Sequence, residues 1–568
     1  HLRRDRATGR LRERRDSALP PAQGATPFLT YRHACSQCPS ARLEPPLSTS
    51  RRRSCVAPGR PTRHARSTGR VTCPSFPDGR GWVAVMSLRS RRGGQQTRSG
   101  SIGMSREGGE VRAAEAGRRG CVGHVEVFRM DGVGTSIVGR PRRLSADRRA
   151  RPTYTLIWEE PVLAPGSADT EPFWSMITAG RTAIRRITAF DPTQFRSQVG
   201  GEIDFDPLSM GLTHREARRM DRASMLAVVC ARRALAQSGI EDSVDRARVG
   251  VTVGNAVGSA TSVENEYVVL SDDGTDWLVD ERYASAHLFD YFTPGSIARE
   301  VAQVVSAEGP VRVVSAGCTS GIDSIGQAAR LIGDGSADVM VAGATDAPIT
   351  PIAVACFDAI RATTPNNDDP AGAARPFDAR RNGFAIAEGA AMLILEEYEH
   401  ARRRGAVVLG EVGGYASTCN AHHMTGLTAD GFEMTLAINK ALSAAHAAST
   451  EIDYVNAHGS GTKQNDIHET AAIKRSLGSH AMRVPVSSIK SMVGHSLGAI
   501  GSIEIATCLL AMRDSLVPPT ANLHEPDPLC DLDYVPLVAR EASLNTVLSV
   551  GSGFGGFQSA MVLKKVPS

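Results

Sequence analysis

The stretch VVSAGCTSGIDS, residues 313–324, decides how the chain is read. It is a β-branched run that closes in small residues. Beyond it Ile322, Ile325, Ala329 and Ile332 recur at spacings of three and four. That spacing lines one face of a helix, which should end at the turn DGS, 334–336. Cys318 therefore sits where a strand hands over to a helix N-terminus. Unpaired N–H groups and the positive end of the helix dipole gather there. Both favour thiolate over thiol, so the expected pKa lies below that of a free cysteine. The same N–H groups can hold an oxyanion on a thioester carbonyl, and Gly317 and Gly321 leave room for a substrate. The plainer alternative is a buried structural cysteine.

Around this stretch the chain alternates strand-like and helix-like segments, the pattern of an α/β architecture. ARVGVTVGNA, PVRVVSAG, DVMVAGAT, AAMLILEE, EIDYVNAH, RVPVSSIK and NTVLSVGSG read as buried strands. They fall into two halves, 153–404 and 405–568, meeting near YEHARRRGA. Two more strand ends carry imidazoles. DYVNAHGSGTKQNDIHET puts His458 after a strand, with a helix starting near Asp466. PVSSIKSMVGHSLGAIGSIE does the same for Lys490 and His495. Strand ends of an α/β sheet are the usual place for a site.

Residues 1–152 read differently. The first 150 carry 31 arginines, no lysine and 11 acidic residues, a net +20. With +5 on the whole chain, the remainder carries −15. Rich in Pro, Gly and Ser, this block has too little apolar periodicity to offset its ordering entropy. It is expected to be a disordered extension. One reading is a nucleic-acid or membrane tail. The preferred one is upstream sequence translated from the wrong start, with Met86, Met104 and Met130 as alternatives. Neither a signal peptide nor a membrane-spanning run is legible, so a cytoplasmic protein is expected, with no membrane partner and no nucleic acid.

Metal chemistry finds little support. Cys35 and Cys38 form one C-x-x-C without a second pair, and no H-E-x-x-H is present. Of the six cysteines in the body, five (Cys230, Cys356, Cys419, Cys508 and Cys530) sit among apolar neighbours and are expected to be buried. GHSLG, 494–498, matches the nucleophile elbow G-x-S-x-G, but the preceding loop is longer than a sharp elbow needs, and His524 in ANLHEPDP is the one histidine after Ser496 that a triad could use. GSGFGG, 551–556, matches a dinucleotide fingerprint, yet the chain lacks the further helix, strand and acid. This loop is expected instead to bring N–H groups and an aromatic ring to a ligand.

Several long stretches together resemble the β-ketoacyl synthases of the thiolase superfamily, most of all the ketosynthase α subunit of bacterial type II aromatic polyketide synthases. They are GCTSGIDS, ADVMVAGATDAPITPIAVACFDAIRATT, RPFDARRNGFAIAEGAAM, YVNAHGSGTKQND, PVSSIKSMVGHSLGAIGSIE, PPTANL and VGSGFGGFQSA, spread over about residues 170–565 in the family's order. The resemblance implies a thiolase-like fold, two similar halves in α-β-α-β-α layers. It implies decarboxylative Claisen condensation, with Cys318, His458 and His495 as the catalytic set. It further implies that Lys490 pairs with Glu469, that the N–H groups of Cys318 and Phe554 form an oxyanion hole, and that Phe554 is a mobile gate. Glu469 can also be read as the end of a capping box begun by Asp466, and Phe554 as an ordinary packed aromatic. No permanently bound cofactor is implied, since substrates arrive on the phosphopantetheine arm of an acyl carrier protein. The implied partners are that carrier protein and a chain-length-factor subunit in a heterodimer. The chain-length factor has Gln where Cys318 stands, which assigns this chain to the catalytic subunit. Plain thiolases need a second cysteine near the chain end, and VLSVGSGFGG has none. A fatty-acid-type synthase is the rival reading, and a nucleic-acid binder acting through the basic block the non-enzymatic one.

Two features fit the resemblance poorly. In YTLIWEEPVLAPG, 154–166, Glu159, Glu160 and Pro161 interrupt a strand expected to be central in the first half-sheet. A local reading-frame error or divergence would account for them. The −15 of the body is awkward for an acidic carrier, so docking would need a local basic patch. HREARRMDR, 214–222, is a candidate, or else a solvated helix face.

Overall fold

The computed structural model describes residues 161–566, apart from 241–243, 276–278 and 429, together with the backbone of three short strands upstream. Contacts divide the chain into two units, His1–Arg140 and Pro141–Ser568. Of the first unit, only an antiparallel pair, Val83–Ser87 with His124–Phe128, is described. The expectation of a disordered or mistranslated extension otherwise lies outside the described residues, as do Cys35 and Cys38.

The second unit is built on eleven strands in one hydrogen-bonded sheet: β1 (Tyr154–Ile157), β2 (Val162–Leu163), β3 (Val249–Gly254), β4 (Val311–Val314), β5 (Val339–Asp346), β6 (Gly389–Glu397), β7 (Val408–Cys419), β8 (Tyr454–Asn456), β9 (Val486–Ser487), β10 (Thr546–Gly553) and β11 (Phe557–Lys564). In the first half the order is β4-β3-β5-β6 and then β1 with β2. In the second it is β9-β8-β10-β11-β7. Counted within each half, both are third, second, fourth, fifth, first. In both, only the fifth strand opposes its neighbours: β6 against β5 and β2, β11 against β10 and β7. The chain thus uses one supersecondary plan twice.

Six helices cover the sheets: α1 (Arg222–Ser238), α2 (Gly295–Val304), α3 (Ser320–Gly333), α4 (Phe432–Ala445), α5 (Lys463–Leu477) and α6 (Ile500–Asp514). Side chains alternate faces along a strand, and the core follows that period. In β5, Val339 and Val341 pack outward with α1 and α2, whereas Met340 and Ala342 pack inward with α3 and α6. In β11, Met561 and Leu563 join the inner core, and Ala560 and Val562 face α4 and α5. The layers are therefore α1/α2, first half-sheet, α3/α6, second half-sheet, α4/α5, which is the thiolase-like arrangement. Helix α6 is apolar almost all round, and all but its last two residues are buried, as a helix between two sheets requires. It meets α3 at glycines. A Cβ on Gly321 would lie 2.4 Å from the Ser502 nitrogen, and one on Gly501 2.8 Å from the Ile322 nitrogen.

Several expectations are corrected here. PVRVVSAG is not a buried strand: β4 is the edge of its half-sheet, with Val311 and Arg312 exposed. Strand β7 was not read from the sequence, because its glycines and alternating polar residues mask the pattern. The interrupted strand near 154–163 is not central in the first half-sheet. It runs as two pieces, β1 and β2, both against β6, and β1 also pairs with β7. It is the seam that joins the halves. Of the five cysteines expected to be buried, Cys356 and Cys419 are exposed, on a helix face and at a strand end. No helix among the described residues is long and apolar enough to cross a membrane.

Candidate active site

Three of the strand-to-helix junctions converge on one cavity of about 190 Å³. Cys318, His458, His495, Phe384 and Phe554 line it.

Cys318 lies between β4 and α3. Gly317 takes φ +57, which turns the chain sharply before the thiol. Thr319 is the N-cap residue and α3 begins at Ser320, so the sulfur stands at the helix N-terminus. It is buried among Ile187, Ile349, Phe384 and Leu497. The Phe554 N–H hydrogen-bonds the sulfur, and the charge of Lys490 also favours its anion. Burial outweighs both and pushes the thiol up to about 12. The expected fall in pKa is thus corrected: removing a thiolate from water costs more than the nearby ammonium and the Phe554 N–H return.

His458 follows β8 and is held at its backbone from both ends. The Glu469 side-chain oxygens accept the His458 and Gly459 N–H groups at 2.6 and 2.8 Å. Lys490 Nζ donates to the His458 carbonyl at 2.5 Å. His495 follows a short helix after β9. Its N–H donates to the Ala385 carbonyl at 2.8 Å, and its carbonyl accepts from Ala387 at 3.0 Å. The two imidazoles meet edge to face, 5.2 Å between centroids, and Phe384 stands edge-on to His495 at 5.0 Å. Burial, with the Lys490 charge second, holds both pKa values well below the ordinary 6.5. The rings are neutral at physiological pH, and each Nδ1 is buried without a partner among the described residues.

The implied Lys490–Glu469 pair is not formed. Lys490 makes a fully buried ion pair with Glu504 of α6. Glu469 instead serves backbone N–H groups, and burial raises it to about 8. Glu504 is raised to about 7 by burial, against the pull of Lys490. The capping box is also absent. Thr462 caps α5, and Asp466 turns inward to pair with Arg381 and to accept from Phe377 and Gly461. Sequence reasoning missed Glu504. Its signal was a single acid in the otherwise apolar run IGSIEIATCLLAM.

The GSGFGG loop forms one wall of the cavity. It turns at Gly555 and Gly556, both at positive φ, and carries Phe554 to the cavity wall, where it stacks on Phe357 at 6.4 Å. Ser496 is buried and does not line the cavity. In HREARRMDR two arginines are committed internally, Arg219 to Glu300 and Arg222 to Glu388, whereas Arg215 and Arg218 remain exposed. No cluster of potential metal ligands occurs among the described residues.

Residues 161–401 match the β-ketoacyl synthase N-terminal domain and residues 409–524 the C-terminal domain. The chain belongs to the β-ketoacyl synthase family. It is 63% identical over 405 residues to the granaticin polyketide β-ketoacyl synthase 1 of Streptomyces violaceoruber, covering 71% of this chain and 96% of that one. Against the 3-oxoacyl-[acyl-carrier-protein] synthase 2 of Coxiella burnetii, identity falls to 38% over 411 residues, 71% of this chain and 97% of that one. Two solved structures share the fold. A type II polyketide synthase acyl-carrier protein in complex with its ketosynthase bound to the hexaketide matches with TM-score 0.69 and 34% identity, over 73% of this chain and all of that one. The ishigamide ketosynthase/chain length factor matches with TM-score 0.67 and 31% identity, over 74% of this chain and all of that one.

Proposed function

We propose that this chain is the catalytic ketosynthase subunit of a type II aromatic polyketide synthase, a cytoplasmic enzyme that extends a carrier-bound acyl chain by decarboxylative condensation. The observation that carries the reading is the convergence of Cys318, His458 and His495 on one cavity, with the two neutral rings 5.2 Å apart. The gap between 63% and 38% identity supports the polyketide type over the fatty-acid type.

In the first half-reaction the Cys318 sulfur attacks the thioester of an acyl carrier protein. The thiol proton leaves with the carrier's pantetheine sulfur, so a resting thiol suffices. The N–H groups of Cys318 and Phe554 hold the oxyanion. A covalent intermediate then divides one hard step into easier ones. In the second half-reaction malonyl carrier protein loses CO2. The enolate left behind is held by donors on His458 and His495, which neutral imidazoles can supply. Its carbon attacks the Cys318 thioester, the C–S bond breaks, and the sulfur departs as thiolate and takes one proton from solvent. Lys490 and Glu469 orient His458 through its backbone, and Phe554 gates the entry of the phosphopantetheine arm. A chain-length-factor subunit is the partner, and the exposed Arg215 and Arg218 lie on a candidate face for an acidic carrier.

Intact-mass measurement after incubation with acyl carrier protein tests this. One acyl adduct is expected, on Cys318, and none in Cys318→Ala. An adduct on another residue, or acylation that survives Cys318→Ala, would sink the reading.

A further inference from the structure

We infer that Asp346 is a positioning residue for His495, its carboxylate holding the strained turn that follows the imidazole. The inference rests on the reading of His495 as a donor to the malonyl thioester.

Asp346 is the last residue of β5 and is fully buried. Among the described residues it forms no ion pair; its oxygens accept backbone N–H groups. Oδ2 accepts from Gly498 at 2.7 Å and from Ala256 at 2.8 Å, and Oδ1 accepts from Val257 at 3.1 Å. Gly498 lies three residues beyond His495. Between them Leu497 is held at φ +48, in the left-handed region that a branched side chain avoids. Leu497 also packs in the cluster that contains Cys318 and Phe384. The segment carrying the imidazole is thus pinned twice: at His495 by the backbone of Ala385 and Ala387, and after the strained residue by Asp346.

The fit is close enough to demand these residue types. A Cβ on Gly498 would lie 2.5 Å from Asp346 Oδ2 and 2.7 Å from the Ala256 nitrogen. An asparagine at 346 would keep one oxygen and set an NH₂ group against at least one N–H. Without the anchor Leu497 can relax, and the ring moves with it. Small misplacements of a group that acts on a reacting centre cost about ten- to hundredfold in rate.

The test uses the full chain with its partner subunit and carrier protein, and scores the two half-reactions separately. Asp346→Asn and Gly498→Ala attack the same contact from its two sides. Both should lower kcat for malonyl decarboxylation by about ten- to hundredfold with little change in KM, and leave the rate of Cys318 acylation near that of the parent. If both half-reactions fall together with the melting temperature, Asp346 is only structural and the inference is overturned. Unchanged decarboxylation in both variants overturns it too. His495→Ala is run in parallel. If it decarboxylates normally, the reading of His495 falls and takes this inference with it. If it is inactive while the two other variants are not, this inference alone falls.

Discussion

Cys318 rests as a thiol, and two neutral imidazoles face it across the cavity. The pH behaviour follows from burial. Because the thiol is pushed up to about 12, its initial alkylation rate with iodoacetamide should climb about tenfold per pH unit through pH 9 without levelling; a plateau below pH 8 would mean that the anion is stabilised after all. The imidazoles, lowered well below 6.5, should support malonyl decarboxylation in Cys318→Ala with no acid limb near 6.5, a profile that isolates them from the thiol. Stability carries the opposite sign for the acids. The folded state keeps a proton on Glu469 until about pH 8, whereas the unfolded chain releases it near pH 4.5, so this residue's contribution falls as pH rises through that window. The histidines' contribution is lost instead as pH drops below 6.5. Lys490 belongs to this scale as well. Its removal strands Glu504 inside α6 and frees the His458 carbonyl. Lys490→Ala should therefore cost about 3–5 kcal/mol in denaturant unfolding, with part recovered in Lys490→Ala/Glu504→Ala. A single-site loss near zero would show that the pair contributes nothing. The partner of Lys490 was not legible in the sequence, because two carboxylates, Glu469 and Glu504, are compatible with it and only the packing of α6 chooses between them.

At the scale of elements, the site is a set of junctions held by close helix contact. Helices α3 and α6 approach through Gly321 and Gly501, so α3 can bring Cys318 to the shared cavity while α6 brings Glu504 under Lys490. Gly321→Ala places a methyl against backbone, not against a flexible side chain. It should destabilise by about 1–3 kcal/mol by chemical denaturation and slow Cys318 acylation by displacing α3. Full stability with full acylation would show that the helices have slack. The elements themselves were largely readable. Ile322, Ile325, Ala329 and Ile332 announce α3, and the apolar runs VMVAGA in β5 and AAMLIL in β6 announce buried strands. Where reading failed, the composition was ambiguous. Val311–Val314 has the residues of a core strand yet lies at an edge, since β-branched residues say that a strand forms and not what lies beside it. Thr462 and Asp466 could each cap α5, and the choice fell to Arg381, which draws Asp466 inward.

At the scale of the molecule, one five-strand plan occurs twice, and the site lies where the two copies meet. Both contribute: Cys318 comes from the first half, His458 and His495 from the second. All of it lies within the unit Pro141–Ser568, so a chain starting at residue 141 should condense malonyl and acyl carrier substrates as the full chain does; a lost activity that returns when residues 1–140 are restored would assign that block a role. The sequence by itself determined the α/β class, the thiol at a helix start and the two histidines after strands, because those are local patterns of period, branching and small residues. It could not determine the charge state of Cys318, the partner of Lys490 or the seam made by β1. Those depend on which distant segments exclude water and which reach a given atom first, and that is decided only when the two halves close on α3 and α6.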